Sequence, residues 1–352
     1  MDTTLLGIFA PAILAFGIGI AITPAVTHFL FKYKAWKKQG GKVALNGQTA
    51  AVFNELKGDA ETKTPRMGGI VIWGSVLLTL ILTYALTVFF PSDISSDLNF
   101  FSRSQTLIPT AALLIGAFIG FWNDYYDIQH GGKGLRLKIR LIIITVLAGM
   151  LGWWFYSRLG VDSINIPFDG ALYLGALIIP FFIFLTIALY ASGVIDGIDG
   201  LSGGVFASVF CAYAGIAIVQ DQLHLAAFCA TLVGAILAFL WFNIPPARFW
   251  MTETGSMALT LCLATVVFMT DSLGDGHGIS LLLIVGLPLV ATVVSNMLQI
   301  GYRKATGKKL FRIAPLHHHF EAIGWPSYKV TMRYWIISIV CALIGVALST
   351  IA

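Results

Sequence analysis

Charge is what this sequence has least of. Asp, Glu, Lys and Arg make up 11% of its 352 residues, while 57% are hydrophobic and the mean hydropathy is +0.84. A soluble domain carries about 25% charged residues to cover its surface. A chain built of water-soluble domains is therefore excluded, and most of the exterior must face lipid. Cysteine is scarce too. Cys211, Cys229, Cys262 and Cys341 all lie inside apolar stretches without CxxC spacing, which points away from a zinc site or a disulfide framework and toward packing roles. No cleavable leader is evident. The first apolar run, Leu5 to Phe31, is too long for a signal-peptide core and lacks a basic segment before it, so it reads as a retained helix. No internal repeat, low-complexity tract or appended soluble domain stands out, and the chain reads as a single transmembrane domain over 1–352 with no nucleic-acid partner.

What is present is a succession of long apolar runs. A bilayer core needs about 20 apolar residues per helix. Such runs fall at about 5–31, 68–90, 106–122, 139–157, 171–190, 204–219, 223–242, 257–270, 279–300 and 330–351. The fold class expected is an all-α polytopic membrane protein of about ten transmembrane helices. The basic residues fix its orientation. Of the 22 Lys and Arg, 20 fall in the odd-numbered connections or at the helix starts that follow them, with only Arg103 and Arg158 opposite. By the positive-inside rule the odd connections are cytoplasmic and both termini periplasmic. The connections facing the other way are short and carry Asp but almost no His, so any chemistry is expected on the cytoplasmic side of a multi-pass bacterial inner (plasma) membrane protein. Residues 39–63 read as a loop.

Four clusters on that side carry ionisable groups close to lipid, where they are costly and tend to be functional. The first, Asn123-Asp124-Tyr125-Tyr126-Asp127, is expected directly after the third helix and is followed by Lys133, Lys138 and Arg140. Carboxylates beside lysines suit a magnesium-bound phosphate, since Mg2+ takes one or two carboxylates plus phosphate oxygens and water. Interfacial charges at a helix end would look the same. The second runs from Gly193 to Gly204 with Asp196 and Asp199 three residues apart, a spacing that on a helix shares a face. It resembles a calcium loop, but a Gly and no Glu stand where the later ligands belong. The third, Asn243 to Ser256, places Glu253 at the entry to the eighth helix with Thr254 and Ser256 available as caps. A helix start can cradle phosphate, though an acid there is favourable in any case. The fourth is Ala314-Pro315-Leu316-His317-His318-His319-Phe320-Glu321. Three consecutive His fan through about 200° of a helix, and i, i+4 zinc spacing is missing. Contacts to a polar substrate by one or two of them fit better.

Together these segments resemble the phospho-N-acetylmuramoyl-pentapeptide transferases, a branch of the polyprenyl-phosphate N-acetylhexosamine-1-phosphate transferases. The resemblance spans nearly the whole chain. It is most specific at Ala314–Glu321, continued by Gly324-Trp325 and Arg333-Tyr334-Trp335, and supported by Thr64-Pro65-Arg66-Met67-Gly68-Gly69, by Asp196 to Leu201, and by Asn243, Pro246, Ala247, Gly255 and Ser256. It implies transfer of phospho-MurNAc-pentapeptide from UDP to undecaprenyl phosphate, giving lipid I and UMP, with Mg2+ required. The partners it implies are UDP-MurNAc-pentapeptide, undecaprenyl phosphate and the bilayer, and it admits a homodimer. The catalytic residues expected are Asp124, Glu253 and His318, with Glu253 ligating the metal and Asp124 ligating it or positioning the lipid phosphate. Asp196, Asp199, Asn243, Lys133, His317 and His319 are expected to bind substrate.

The sequence departs from the family pattern inside the chemistry. Asn123 stands for the first Asp of an Asp-Asp pair, Asp127 for a Lys three residues after it, and Thr252-Glu253 for Gly-Asp. Gly193 stands for Asn, Glu61 for Lys, and Arg66 for the second Thr of the TPTMGG signature. The changes fall in several clusters and tend to keep charged groups within the site, which favours a divergent active enzyme over a decayed one. Loss of the Asp at 123 removes a base, but a lipid phosphate with a second pKa of about 6 is largely ionised at neutral pH. The alternatives are a sister transferase using UDP-GlcNAc, which the intact LHHHFE run disfavours, and a non-catalytic polyprenyl-phosphate-binding protein.

Overall fold

The structure, a computed structural model, describes residues 3–38, 41, 60–131, 134–274 and 276–351. Most of them are helical, because inside hydrocarbon each backbone N–H and C=O must be bonded within its own segment. The helices are α1 (Thr3–Lys32), α2 (Ile70–Phe89), α3 (Asp93–Leu98), α4 (Leu107–Gln129), α5 (Leu137–Leu159), α6 (Ile178–Ser192), α7 (Leu201–Val219), α8 (Leu223–Asn243), α9 (Thr252–Met269), α10 (Gly278–Val285), α11 (Leu287–Thr306), α12 (Leu316–Ala322) and α13 (Ser327–Ser349). Among the described residues nine helices are long and apolar enough to span a bilayer, and α10 with α11 makes a tenth. That pair is bent by 74° at Gly286, with Pro288 at the start of α11. The protein is an all-α polytopic membrane protein.

Four boundaries differ from those expected, each for a local reason. The fifth span does not begin at 171. Residues Gly170–Tyr173 form β2, paired antiparallel with β1 (Ser163–Ile166) in the register Ser163↔Tyr173. A short apolar run carries no mark that separates strand from helix. Helix α4 runs on to Gln129, so Asn123, Asp124 and Asp127 sit on its last turns, not after it. Helix α9 opens at Thr252, five residues before its apolar run, so Glu253 lies inside its first turn. The expected span 279–300 is the broken α10–α11 pair.

Lipid tails give helices no hydrophobic reason to associate, so close backbone approach has to hold them. The hub is α9. Of its apolar window 94% is buried, against 22% for α5. It lies along α4 and also meets α2, α6, α7 and α10. Gly116 and Gly120 make the α4–α9 seam. A Cβ on Gly120 would fall 2.1 Å from the Glu253 carbonyl oxygen, and one on Gly116 2.7 Å from that of Met257. Beyond the other end of α9, the buried Asp271 carboxylate accepts the Asn165 amide at 2.9 Å and the Ile279 amide at 3.0 Å, which fastens the β1–β2 hairpin and the start of α10. Cys229, Cys262 and Cys341 are packing residues, Cys211 faces outward, and all four are free thiols.

Candidate active site

The site forms where α4 ends and α9 begins. A helix N-terminus leaves amide donors without intrahelical partners, and no side chain of α9 itself caps this one. Carboxylates from elsewhere do. Asp124 is fully buried, and its Oδ2 accepts the Thr254 amide (2.8 Å), the Thr254 hydroxyl (2.7 Å) and the Thr252 hydroxyl (2.6 Å). Asp196 Oδ2 accepts the Thr252 amide at 2.8 Å, and its Oδ1 accepts the Ser202 hydroxyl at 2.6 Å. Both charges sit at the positive end of the helix dipole. Thr254 is thus held by Asp124 and does not cap the helix as expected. The α9 start is in this state a carboxylate-capped terminus.

Two guanidinium groups answer the carboxylates. Arg66 Nη2 lies 3.5 Å from Asp124 Oδ1 and 3.4 Å from Asp127 Oδ2. Burial works against its charge, but Asp124, Asp127 and Glu61 outweigh that and raise its pKa. Arg140, in the first turn of α5, pairs with Glu253 Oε1, its guanidinium carbon 6.0 Å from the Tyr190 ring centroid. Glu61, where the family has Lys, is buried and bound by Lys37 Nζ at 3.1 Å and the Gly41 amide at 2.8 Å. Asn123 turns its Oδ1 to the Leu135 amide at 3.0 Å, so it ties down the chain after α4.

The turn 196–200 links this cluster to the remaining residues. Asp196 and Asp199 do not share a helical face, because Gly193–Ile195 is a 3-10 turn and Gly200, at φ +75°, breaks the chain before α7. Asp199 faces the other way and accepts the Trp250 indole N–H at 3.0 Å and the Ala247 amide at 3.1 Å. Asn243 is buried and bridges the Gly200 amide (3.0 Å) to the Phe249 carbonyl (2.8 Å). Helix α13 braces the turn through Thr331 to the Asp199 carbonyl and Trp335 to the Gly200 carbonyl. Two buried imidazoles stand against the turn. A Cβ on Gly197 would fall 2.5 Å from His318 Nε2 and 2.9 Å from His317 Nε2, so only glycine admits them. His318 Nδ1 donates to Glu321 Oε2 at 2.7 Å, and Ser327 holds the other Glu321 oxygen. That bond fixes the ring and presents Nε2 to the turn.

Asp124, Glu253, Asp196, Asp199, Asn243, His317 and His318 are therefore brought together. His319 is not. Its Nδ1 accepts the Arg312 amide at 3.3 Å and its ring packs edge-on to Phe311, away from the turn. Lys133 lies outside the described residues.

Residues 106–271 match the family described as Glycosyl transferase family 4. A phospho-N-acetylmuramoyl-pentapeptide-transferase of Bacillus cytotoxicus is 31% identical over 351 residues, 97% of each chain. One of Bacillus mycoides is 30% identical over 348 residues, again 97% of each. One of Chloroflexus aurantiacus is 31% identical over 305 residues, 82% of this chain and 77% of the relative. The chain belongs to the phospho-N-acetylmuramoyl-pentapeptide-transferase family. It is a multi-pass membrane transferase.

For a transferase of this family the site's charge needs explaining. Three carboxylates, Asp124, Asp127 and Glu253, pair with two guanidinium groups, and Asp196 lies beside them at the start of α9 with no cation paired to it. Burial pushes the Asp196 carboxyl up, offset in part by Ser202 and the Thr252 amide, so its charge is under-compensated. Among the described residues no three His, Cys, Asp or Glu side chains form a protein-only metal cage. Mg2+ with phosphate ligands asks for only one or two carboxylates. Glu253, whose side chain is 26% exposed, makes no hydrogen bond through Oε2 and offers one such ligand. The donor set fits the ion.

In the sequence Arg140 is one more basic residue among several. A cation in the first turn of a helix opposes the dipole, and that mismatch is the signal that something nearby compensates it. The hydroxyls of Thr252, Ser202 and Ser327 and the Trp250 indole carry no such mark.

Proposed function

We propose that this protein transfers phospho-MurNAc-pentapeptide from UDP to undecaprenyl phosphate, forming lipid I and UMP, at the cytoplasmic face of the bacterial inner membrane. One observation supports it above the others: Asp124, Asp196 and Glu253 gather around the first turn of α9, and Gly197, next to Asp196 in the chain, packs against the His318 imidazole. A lipid phosphate can reach only a site at the membrane surface, and this one lies at the end of the bundle carrying the basic connections.

In the reaction an oxygen of the lipid phosphate bonds to the sugar-linked phosphorus of the donor. The bond from that phosphorus to the UMP oxygen breaks, and UMP leaves with the electron pair. Such exchanges depend on positioning and charge stabilisation. The acceptor is already ionised, so Asn123 need not take a proton and serves the backbone at Leu135 instead. Glu253, with Asp124 beside it, would hold magnesium, which would supply charge neutralisation at the diphosphate. Arg140 orients Glu253. Asp199 and Asn243 shape the 196–200 turn and the 247–250 segment against the nucleotide and sugar end, and the Nε2 atoms of His317 and His318 meet the donor over Gly197.

The test is UMP release by purified protein. With UDP-MurNAc-pentapeptide it should require both undecaprenyl phosphate and magnesium, and Glu253→Ala should lower the rate at least about 100-fold, the scale of losing one transition-state charge contact. Release from UDP-GlcNAc alone would move the chain to the sister activity. Release from neither donor would leave a lipid-phosphate-binding protein.

A further inference from the structure

Arg66 reaches the site on a loop that the chemistry above does not use. Its backbone is fixed on both sides. The Arg66 amide bonds the Ala35 carbonyl at 2.7 Å, the Trp250 amide bonds Pro65, and Met67, held at φ +68°, gives its amide to the Thr252 hydroxyl at 3.1 Å. A non-glycine residue at positive φ is strained and persists only where its surroundings impose it. The side chain, 14% exposed, is held loosely by comparison. Charge-assisted N–H···O bonds close to about 2.7–2.9 Å. Here Nη2 is shared between Asp124 and Asp127 at 3.5 and 3.4 Å, bidentate to neither, and Nε is buried with no hydrogen-bond partner. A guanidinium presents its Nε and Nη donors as a fork that matches two oxygens of one anion. Two carboxylates hold this one at Nη2, one member of its Nε–Nη2 edge, and leave Nε itself without an acceptor.

We propose that Arg66 is a phosphate-binding residue of the site, its Nε–Nη edge taking two oxygens of a substrate phosphate while Asp124 and Asp127 hold the guanidinium in position. The ligand class is a phosphate monoester or diphosphate, either the head of the lipid acceptor or the diphosphate of the nucleotide donor. The position carries Thr in the signature it otherwise matches, and Asp127 stands where that pattern has Lys. The cation missing from α4 is thus supplied from the neighbouring loop to the same spot. The identity of the substrates, though not the anion chemistry, rests on the transferase reading.

The experiment compares wild type, Arg66→Lys, Arg66→Thr and Arg66→Thr/Asp127→Asn in detergent, each checked by thermal unfolding. Inorganic pyrophosphate binding by calorimetry should weaken at least 10-fold in Arg66→Thr and less in Arg66→Lys, which keeps the charge without the fork. The double variant, in which the lost cation is matched by a lost anion, should bind as weakly as Arg66→Thr. In turnover, a KM raised at least 10-fold for undecaprenyl phosphate assigns Arg66 to the acceptor, and the same rise for the UDP-sugar assigns it to the donor. Equal pyrophosphate affinity in wild type and Arg66→Thr would overturn the proposal. So would wild-type affinity in the double variant, which would make Arg66 a mere counter-ion of Asp127. A wild type that binds pyrophosphate through Arg66 yet releases no UMP would sink the transferase reading and leave Arg66 standing.

Discussion

Asp196 holds its negative charge against burial, and that has a consequence for stability. Its pKa lies above the value of about 3.9 that it has when unfolded. Below that value the carboxyl is protonated in both states and nothing is lost. As pH rises toward the folded pKa, the native state keeps a proton that the unfolded chain has released, so stability falls, and the loss is complete above the folded pKa. Asp196→Asn removes this titration. The difference in unfolding temperature between Asp196→Asn and wild type should therefore move in the variant's favour as pH rises above about 4; a pH-independent difference would contradict the burial argument. At this scale the sequence was partly legible. Asp124, Glu253, Asp196 and His318 could be picked out because ionisable groups at a membrane surface are expensive. Their partners could not, because Thr252, Ser202 and a backbone amide are ordinary residues until the fold brings them within 3 Å of a carboxylate.

Among the elements, α4 and α9 carry the site, and their contact depends on the absence of two methyl groups. Gly120→Ala would place a Cβ 2.1 Å from the Glu253 carbonyl, on backbone that cannot swing aside. Overpacking of this kind costs about 1–3 kcal/mol. The variant should unfold at lower temperature and lose at least 10-fold in UMP release, because the shift separates Asp124 from the Thr254 amide. Retention of both wild-type stability and rate would show that the seam has slack. Helix existence was easy to read, since a 20-residue apolar run has few other uses in lipid. Boundaries were harder. Polar residues of the α4 end and the α9 start belong to helices because they bond one another across the seam, a tertiary fact with no sequence period. Strand β2 falls at the start of the expected 171–190 helix for the converse reason: its apolar residues suit either.

For the whole molecule, the distribution of Lys and Arg makes the strongest statement, with 20 of 22 on one side of the expected topology. Single cysteines placed at exposed positions in a chain stripped of its four native ones should report that asymmetry. One at Lys309 should be blocked only by a membrane-permeant thiol reagent in intact cells, and one at Asp169 also by an impermeant reagent. The reverse labelling would turn the bundle over and remove the site from the nucleotide. The site is legible in the sequence where the hub is not. The α9 apolar run is marked only by its shortness, which does not say that it is buried, and its central place follows from the packing of five neighbouring helices around it.

That central helix carries a further consequence. One of its ends is stoppered by Asp124 and Asp196, the same carboxylates that the chemistry would recruit, and just past the other end Asp271 clasps a hairpin on the opposite membrane face. A rod of 18 residues, roughly 27 Å long at 1.5 Å per residue, so joins the two aqueous faces with almost no lipid contact along its length. Were either stopper drawn aside, the amides or the hairpin it holds would lose their acceptor.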